Sequence, residues 1–197
     1  QSQDAILVAL DRVLSAVADP QTLSRSKKIV IKVNLCKPFP PESGATVDVK
    51  VTKGVIDWIL RENPSADMYV VESDTARRTV DEALKATGHS VLTERYKDLK
   101  LINLSKTPHV TIANRKVGTH RPRFQHFKNG LSISSMLLDC DYFVSIAKLK
   151  THETERFTGI LKNQFGCLPV KVKDKYHPYL PKVIADVNSV LRPDLCI

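Results

Sequence analysis

A short apolar run, Tyr142 to Ala147, leads into three side chains of one parity: Lys148, Lys150 and His152. Its length and its aromatic and β-branched content predict a buried strand. If the extended backbone continues, the three polar side chains point the same way, with Lys148 and Lys150 about 7 Å apart. Two ammonium groups at that spacing repel by roughly 0.6 kcal/mol in water and about 2.4 kcal/mol at an effective dielectric near 20. Solvent absorbs the first value, whereas the second calls for an anionic partner or a depressed lysine pKa. Beyond them, Thr154 or Glu155 is expected to open a helix carrying Phe157, Ile160, Leu161, Gln164 and Phe165, ended by Gly166 and Pro169. Cations followed by a helix N-terminus make a place to hold an anion. An exposed strand end with solvated lysines is the plainer alternative.

The rest of the chain repeats this order of strand, polar end and helix. Residues 4–18 carry Ile6, Leu7, Leu10, Val13, Leu14 and Val17 at helical spacing, with Pro20 closing the helix. A strand spans Lys28 to Asn34, and Asp48 caps a helix running to about Glu62. Met68 to Val71 forms the next strand and runs into Glu72, Ser73 and Asp74, before a helix near 78–87 closed by Gly88. Short strands are expected at 101–104 and 110–113, with a turn or third strand at 115–118. Helices are expected over 131–139 and 179–191. Alternation of this kind predicts an α/β fold, a mainly parallel sheet with helices on both faces. Strands 28–34, 68–72 and 142–147 should be neighbours, with Asn34, Asp74 and Lys148 at one edge. Ligands collect at the carboxyl ends of such strands. There stand Asn34, then Ser73 with Asp74, then Lys148 with Lys150 and His152.

With 197 residues, the chain is long enough for a single α/β domain with a substantial core. It starts at Gln1, and Asp194 to Ile197 reads as a strand just begun, so a truncated domain, a fragment of a longer chain, is expected. No apolar run approaches the ~20 residues of a membrane span. Cys36, Cys140, Cys167 and Cys196 lie far apart without a C-x-x-C pair, which argues against a zinc ribbon or an iron–sulfur cluster held within this chain. A reduced, cytoplasmic setting follows. The net charge of +9 favours anionic partners, among them nucleic acid, phosphorylated metabolites and carboxylates. His152-Glu153-Thr154-Glu155-Arg156 is not a zincin motif, because Arg156 replaces the second histidine. Neither a P-loop nor a G-x-G-x-x-G turn is present. An anion site must therefore use lysines, Thr158 and helix amides. Thr158 and Lys162, four apart, would share a helical face. Basic residues interleaved with aromatics at 114–128, and lysines at 171–175, leave a nucleic-acid-binding module as an alternative. Without an accompanying recognition motif, the 114–128 stretch reads equally as a solvated loop anchored by Phe124 and Phe127.

Four segments together resemble a known family: Ile31 to Leu35, Glu72-Ser73-Asp74, Lys148-Leu149-Lys150-Thr151-His152, and Thr158 to Pro169. Their order and spacing are similar to those of domain of unknown function family 362 from about residue 28 to residue 197. Val33 stands where that family usually has proline. The resemblance implies an α/β fold and a site, and no established reaction. It adds Lys32, Thr151 and Asn163 to the candidate ligand-binding residues, beside Asn34, Ser73, Asp74, Lys148, Lys150, Thr158 and Lys162. Members of the family continue with further strands and helices, and some carry a ferredoxin-like iron–sulfur module, so a scaffold for an iron–sulfur partner is another alternative. A fainter similarity is to lactate racemases that use a nickel-pincer nucleotide. His152 and Lys162 stand ten apart, as do that motif's histidine and lysine, and His177 follows, although Ile160 and Leu161 replace the intervening Gly-Gly-Arg. By that likeness His152 and His177 are candidate metal ligands. The leading expectation is an enzyme or enzyme domain that binds an anionic small molecule or cofactor, with His152 for acid–base work.

Overall fold

β-Branched and aromatic runs flanked by polar turns form the sheet of a computed structural model that describes residues 3–117, 121–153 and 155–197. In chain order the strands are β1 (Lys28–Lys32), β2 (Asp67–Glu72), β3 (Lys100–Asn103), β4 (His109–Ile112), β5 (Lys116–Val117), β6 (Arg121–Pro122), β7 (Leu131–Ser134), β8 (Tyr142–Ser145), β9 (Lys150–His152), β10 (Arg156–Thr158) and β11 (Leu195–Cys196). Five of them make one sheet in the order β11-β8-β1-β2-β3, and every pairing in it is parallel. The expected neighbours are thus side by side: Ile29 is in register with Met68 on one side and Tyr142 on the other. Asn34, Asp74 and Lys148 all follow the carboxyl ends of these adjacent strands.

Strand parity divides the core. Ile29, Ile31, Met68, Val70, Tyr142 and Val144 face one layer, built on α1 (Gln3–Val17), α2 (Pro20–Arg25), α3 (Val49–Glu62) and α4 (Val80–Ala86), with α5 (Leu92–Arg95) behind it. Val30, Val71 and Phe143 face the other layer, which includes α6 (Ser135–Leu138), α8 (Leu180–Asn188) and the short α7 (Ile160–Asn163) with the 3-10 turn after it. Helices cover both faces, as expected for strands that are apolar on both sides. Local signals set their ends. Asp48 accepts from the Lys50 amide at 2.8 Å, and Thr79 with Glu82 forms a capping box. Pro20 is the first residue of α2 rather than only a stop, and Asp19 caps that helix.

Two helices expected from spacing are not formed. Residues 131–139 divide into β7 and the four-residue α6, because Leu131 and Ile133 alternate with serines and bury against β4 in an antiparallel pair. Gly130, at φ 105°, turns the chain into that strand. Residues 150–158 fold as the β9–β10 hairpin, and helix begins only at Ile160. Gly159 is extended there, which interrupts the apolar spacing from Phe157 to Phe165. Arg156, at φ 62°, and a hydrogen bond from the Glu155 amide to His152 Nδ1 (3.2 Å) shape the turn. Thr154 lies outside the described residues.

Candidate functional site

At the carboxyl end of the sheet, β1 and β2 finish on opposite charges. Lys32, 1% exposed, places Nζ 2.9 Å from Glu72 Oε1, and Arg78 Nη2 lies 3.7 Å from Oε2. The same carboxylate accepts the amides of Leu35 (3.0 Å) and Ser73 (2.9 Å). Burial alone would raise the Glu72 pKa; Lys32, Arg78 and the hydrogen bonds outweigh it and hold the carboxyl below its usual range. Lys32 Nζ also donates to Val33 O at 2.6 Å and Asn163 Oδ1 at 3.3 Å. The glycine in this structure with the closest functional contact is Gly166, where an added Cβ would stand 2.9 Å from Lys32 Nζ.

This ion pair floors a cleft of about 940 Å³. On the β1–β8 side, Asn163 donates to Ser145 Oγ (3.1 Å) and Ile146 O (3.2 Å), and its Oδ1 accepts from Asn34 Nδ2 at 3.1 Å. Lys150 reaches in from the hairpin, donating to Asn34 Oδ1 (2.8 Å) and to Ala45 O, with Cys36 Sγ at 2.9 Å. Lys162 and His152 line the same wall. Burial pushes the Lys162 pKa down. Burial, then Lys162, His177 and Lys150, push that of His152 below its ordinary value. The imidazole is therefore neutral at pH 7. With Nδ1 accepting from Glu155, its proton sits on Nε2, where it can be donated to an acidic ligand.

The β2 side is built by Ser73, Arg78 and the loop after α7. Lys173 Nζ donates to Ser73 Oγ (2.9 Å) and Asp74 O (2.7 Å), Ser73 Oγ donates to Gly166 O, and Arg78 Nη1 donates to Ser73 O at 2.7 Å. Burial takes the Lys173 pKa down to about 8. Eight lysines and arginines line the cleft against three carboxylates, and one of those three, Glu72, is already neutralised from below. Two buried polar atoms in the lining have no hydrogen-bond partner, Thr158 Oγ1 and Arg78 Nε. Groups of that kind are costly unless a ligand or water completes them.

The model of one family, Domain of unknown function (DUF362), matches residues 29–197. The chain is a member of that family. A thylakoid-associated protein of Synechocystis sp. is 28% identical over 106 residues, which is 50% of this chain and 32% of that protein. The lactate racemase apoprotein from Thermoanaerobacterium thermosaccharolyticum superposes with a TM-score of 0.54 at 16% identity, over 96% of this chain and 47% of that one. That likeness shows a shared α/β fold. The chain spans about a third of the curated relative's length and about half of the structural relative's.

Of the expected site residues, the DUF362 cleft gathers Lys32, Asn34, Ser73, Lys150, Thr151, His152, Thr158, Lys162, Asn163 and His177. Lys148 is not among its lining residues: β8 ends at Ser145, so the parity shared with Lys150 is lost. Asp74 is likewise not among the lining residues; it accepts from the Val80 amide (2.8 Å) and Asn103 Nδ2 (2.9 Å). The helix N-terminus expected near Thr154 is replaced by a hairpin, so the positive potential comes from side chains. Sequence reasoning missed Arg78, Lys173 and Cys36 as lining residues, and gave Glu72 no role of its own. The available signals were the basic pair Arg77-Arg78, separated from Asp74 by Thr75 and Ala76, and a lysine in the already noted 171–175 loop.

Among the described residues no three His, Cys, Asp or Glu side chains are grouped to hold a metal ion. His177 Nδ1 faces Asp174 O at 3.1 Å, and His152 Nδ1 faces the Glu155 amide. The cleft brings His152, Lys162 and His177 into one lining. In the 114–128 segment Phe124 is fully buried. Phe127 and His126 pack on Tyr176, and the Asp186 carboxylate ties down the Gln125 and His126 amides. Phe127 and His126 are half-buried, and residues 118–120 lie outside the described residues. No helix among the described residues is long and apolar enough to cross a membrane.

Proposed function

We propose that this chain is an enzyme domain that binds an anionic small molecule or cofactor, carrying phosphate or carboxylate groups, at the carboxyl ends of β1, β2 and β8. The charge imbalance of the cleft carries the reading, because so many ammonium and guanidinium groups around one concavity demand a counter-charge. The family membership supplies no reaction, and the fold shared with a racemase apoprotein adds only an analogy. Within the cleft, Lys150 and Lys162 hold the anion and His152 Nε2–H donates to it. Acid–base work by His152 then requires Nδ1 to exchange the Glu155 amide for a proton as the bound anion raises the pKa of the imidazole. Free thiols at Cys36, Cys140, Cys167 and Cys196 suit a reducing compartment, and we assign the cytoplasm.

Calorimetric titration of wild type and Lys150→Ala with inorganic phosphate tests this. Lys150 is half-buried and ties the hairpin to the loop at Asn34 and Ala45. Its loss should weaken phosphate by about 1.5–3 kcal/mol, the range for a hydrogen bond to a charged group. The unfolding midpoint should move little. Equal affinities together with a lowered midpoint would make Lys150 a purely structural residue and remove the proposal.

A further inference from the structure

The cations of the cleft fall into two groups rather than one. Lys150 and Lys162 stand over the ends of β1 and β8: Lys150 is bonded to Asn34, and Lys162 adjoins Asn163, which is fixed to Ser145 and Ile146. Lys173 and Arg78 stand over the end of β2, bonded to Ser73 and Asp74, with Arg77 and Lys171 exposed beside them. Between the groups lies the floor, where Lys32 and Glu72 neutralise each other and Asn163 closes the network. A strand spacing is about 4.8 Å, and β2 and β8 are separated by β1, so the groups lie roughly 5–10 Å apart.

Each group also holds one of the two orphaned polar atoms. Thr158, 2% exposed, is paired in register with Lys150 across the hairpin, and its Oγ1 lacks a partner. Arg78, 4% exposed, lacks one at Nε. A single phosphate over Lys150 would leave Arg78 Nε unsatisfied, and one over Lys173 would leave Thr158 Oγ1 so. We infer that, if the cleft is the anion site proposed above, its ligand carries two anionic groups about 5–10 Å apart, one seated at Lys150 and Thr158 and the other at Arg78 and Lys173, joined by an uncharged spacer over the Lys32–Glu72 pair. That is the chemistry of a bisphosphorylated or phosphorylated carboxylic metabolite, or of a nucleotide cofactor with a second acidic end. A simple monoanion does not fit it.

The probes are inorganic phosphate, methylphosphonate and a series of α,ω-alkane bisphosphonates, titrated calorimetrically into the intact chain. Two phosphates should bind per chain. Bisphosphonates with about three to six methylenes should bind at least about tenfold more tightly than methylphosphonate, because the second contact becomes intramolecular. A spacer of one methylene should gain much less. Lys150→Ala and Lys173→Met should each leave one phosphate site and remove the spacer-dependent gain, with urea unfolding of each variant showing that it folds. One phosphate per chain with no gain at any spacer length overturns this inference and leaves the anion site standing. Absence of any phosphate binding overturns both.

Discussion

Lys32 and Glu72 face each other across the ends of β1 and β2 with 1% and 4% of their side chains exposed. A pair so buried gains little net stability against the cost of dehydrating both ions. What it does is fix the floor: Glu72 gathers Lys32, Arg78 and two amides, which holds the Ser73 corner and Arg78 in place under the cleft. Lys173 sits near this arrangement under the opposite pressure. Its ammonium is buried, and although Glu72 attracts it, burial dominates and brings the pKa down to about 8 from 10.5. Between those two pH values the unfolded chain holds a proton on Lys173 that the folded chain has released. This residue's contribution to stability therefore rises with pH across that window. Its contribution to anion binding runs the other way, since the charge is lost as pH passes about 8. Phosphate affinity is expected to fall from pH 7 to pH 9 in wild type, while denaturant unfolding shows the Lys173 contribution to stability rising. Lys173→Met should flatten both trends. A Met variant whose phosphate affinity still falls to the same extent would show that some other group titrates there.

The parallel strands β1, β2 and β8 and the Asp48-capped α3 were legible from local pattern, because each is decided by residues close in sequence, whereas the Thr79 capping box of α4 was not read. The stretches misread as helix, 131–134 and 156–158, share one cause. Their backbone is set by a partner strand, β4 for the first and β9 for the second, and pairing is invisible to a local spacing rule. Site residues divide the same way. Lys150 and His152 stood out as side chains at the end of a strand and Lys162 by its spacing from Thr158, whereas Arg78 and Lys173 enter the cleft through contacts that include Ser73, 5 and 100 residues away. Gly166 belongs to this second kind. It lies inside the 3-10 turn Gln164–Cys167 instead of ending a helix, and its role is contact: an added methyl would meet Lys32 Nζ at 2.9 Å and Glu72 Oε1 at 3.2 Å. The lysine terminus is flexible in general, but here it is pinned by the ion pair and by Val33 O. Gly166→Ala should cost about 1–3 kcal/mol, as overpacking does, and should also weaken phosphate because the floor shifts. Urea unfolding reads the first effect; an unchanged midpoint would mean that the loop carrying Gly166 moves aside freely.

Across the whole molecule the charge is +9, and a large part of it is concentrated where three parallel strands end. Two salt effects must then be separated. Any salt screens the self-repulsion of a cationic chain and stabilises it somewhat, irrespective of where the charges lie. A bound anion does more, because it stabilises the folded state by mass action, about 2.7 kcal/mol when free ligand is a hundred times its Kd. For a chain of this size that amounts to a rise in Tm of roughly 5–10 °C. Sodium phosphate and sodium chloride compared at equal ionic strength and pH 7 distinguish the two. Phosphate should raise Tm well beyond chloride in wild type. In the doubly substituted Lys150→Ala, Lys162→Ala chain the excess should fall to that of the one seat left at Arg78 and Lys173, while the chloride effect is little altered because only two of its many positive charges are gone. If phosphate and chloride raise Tm equally in wild type, the positive charge of the cleft is a diffuse surface property and not a site. If the phosphate excess is undiminished by both substitutions, no anion sits at Lys150 and Lys162, and their clustering around Asn34 and Asn163 serves the hairpin alone.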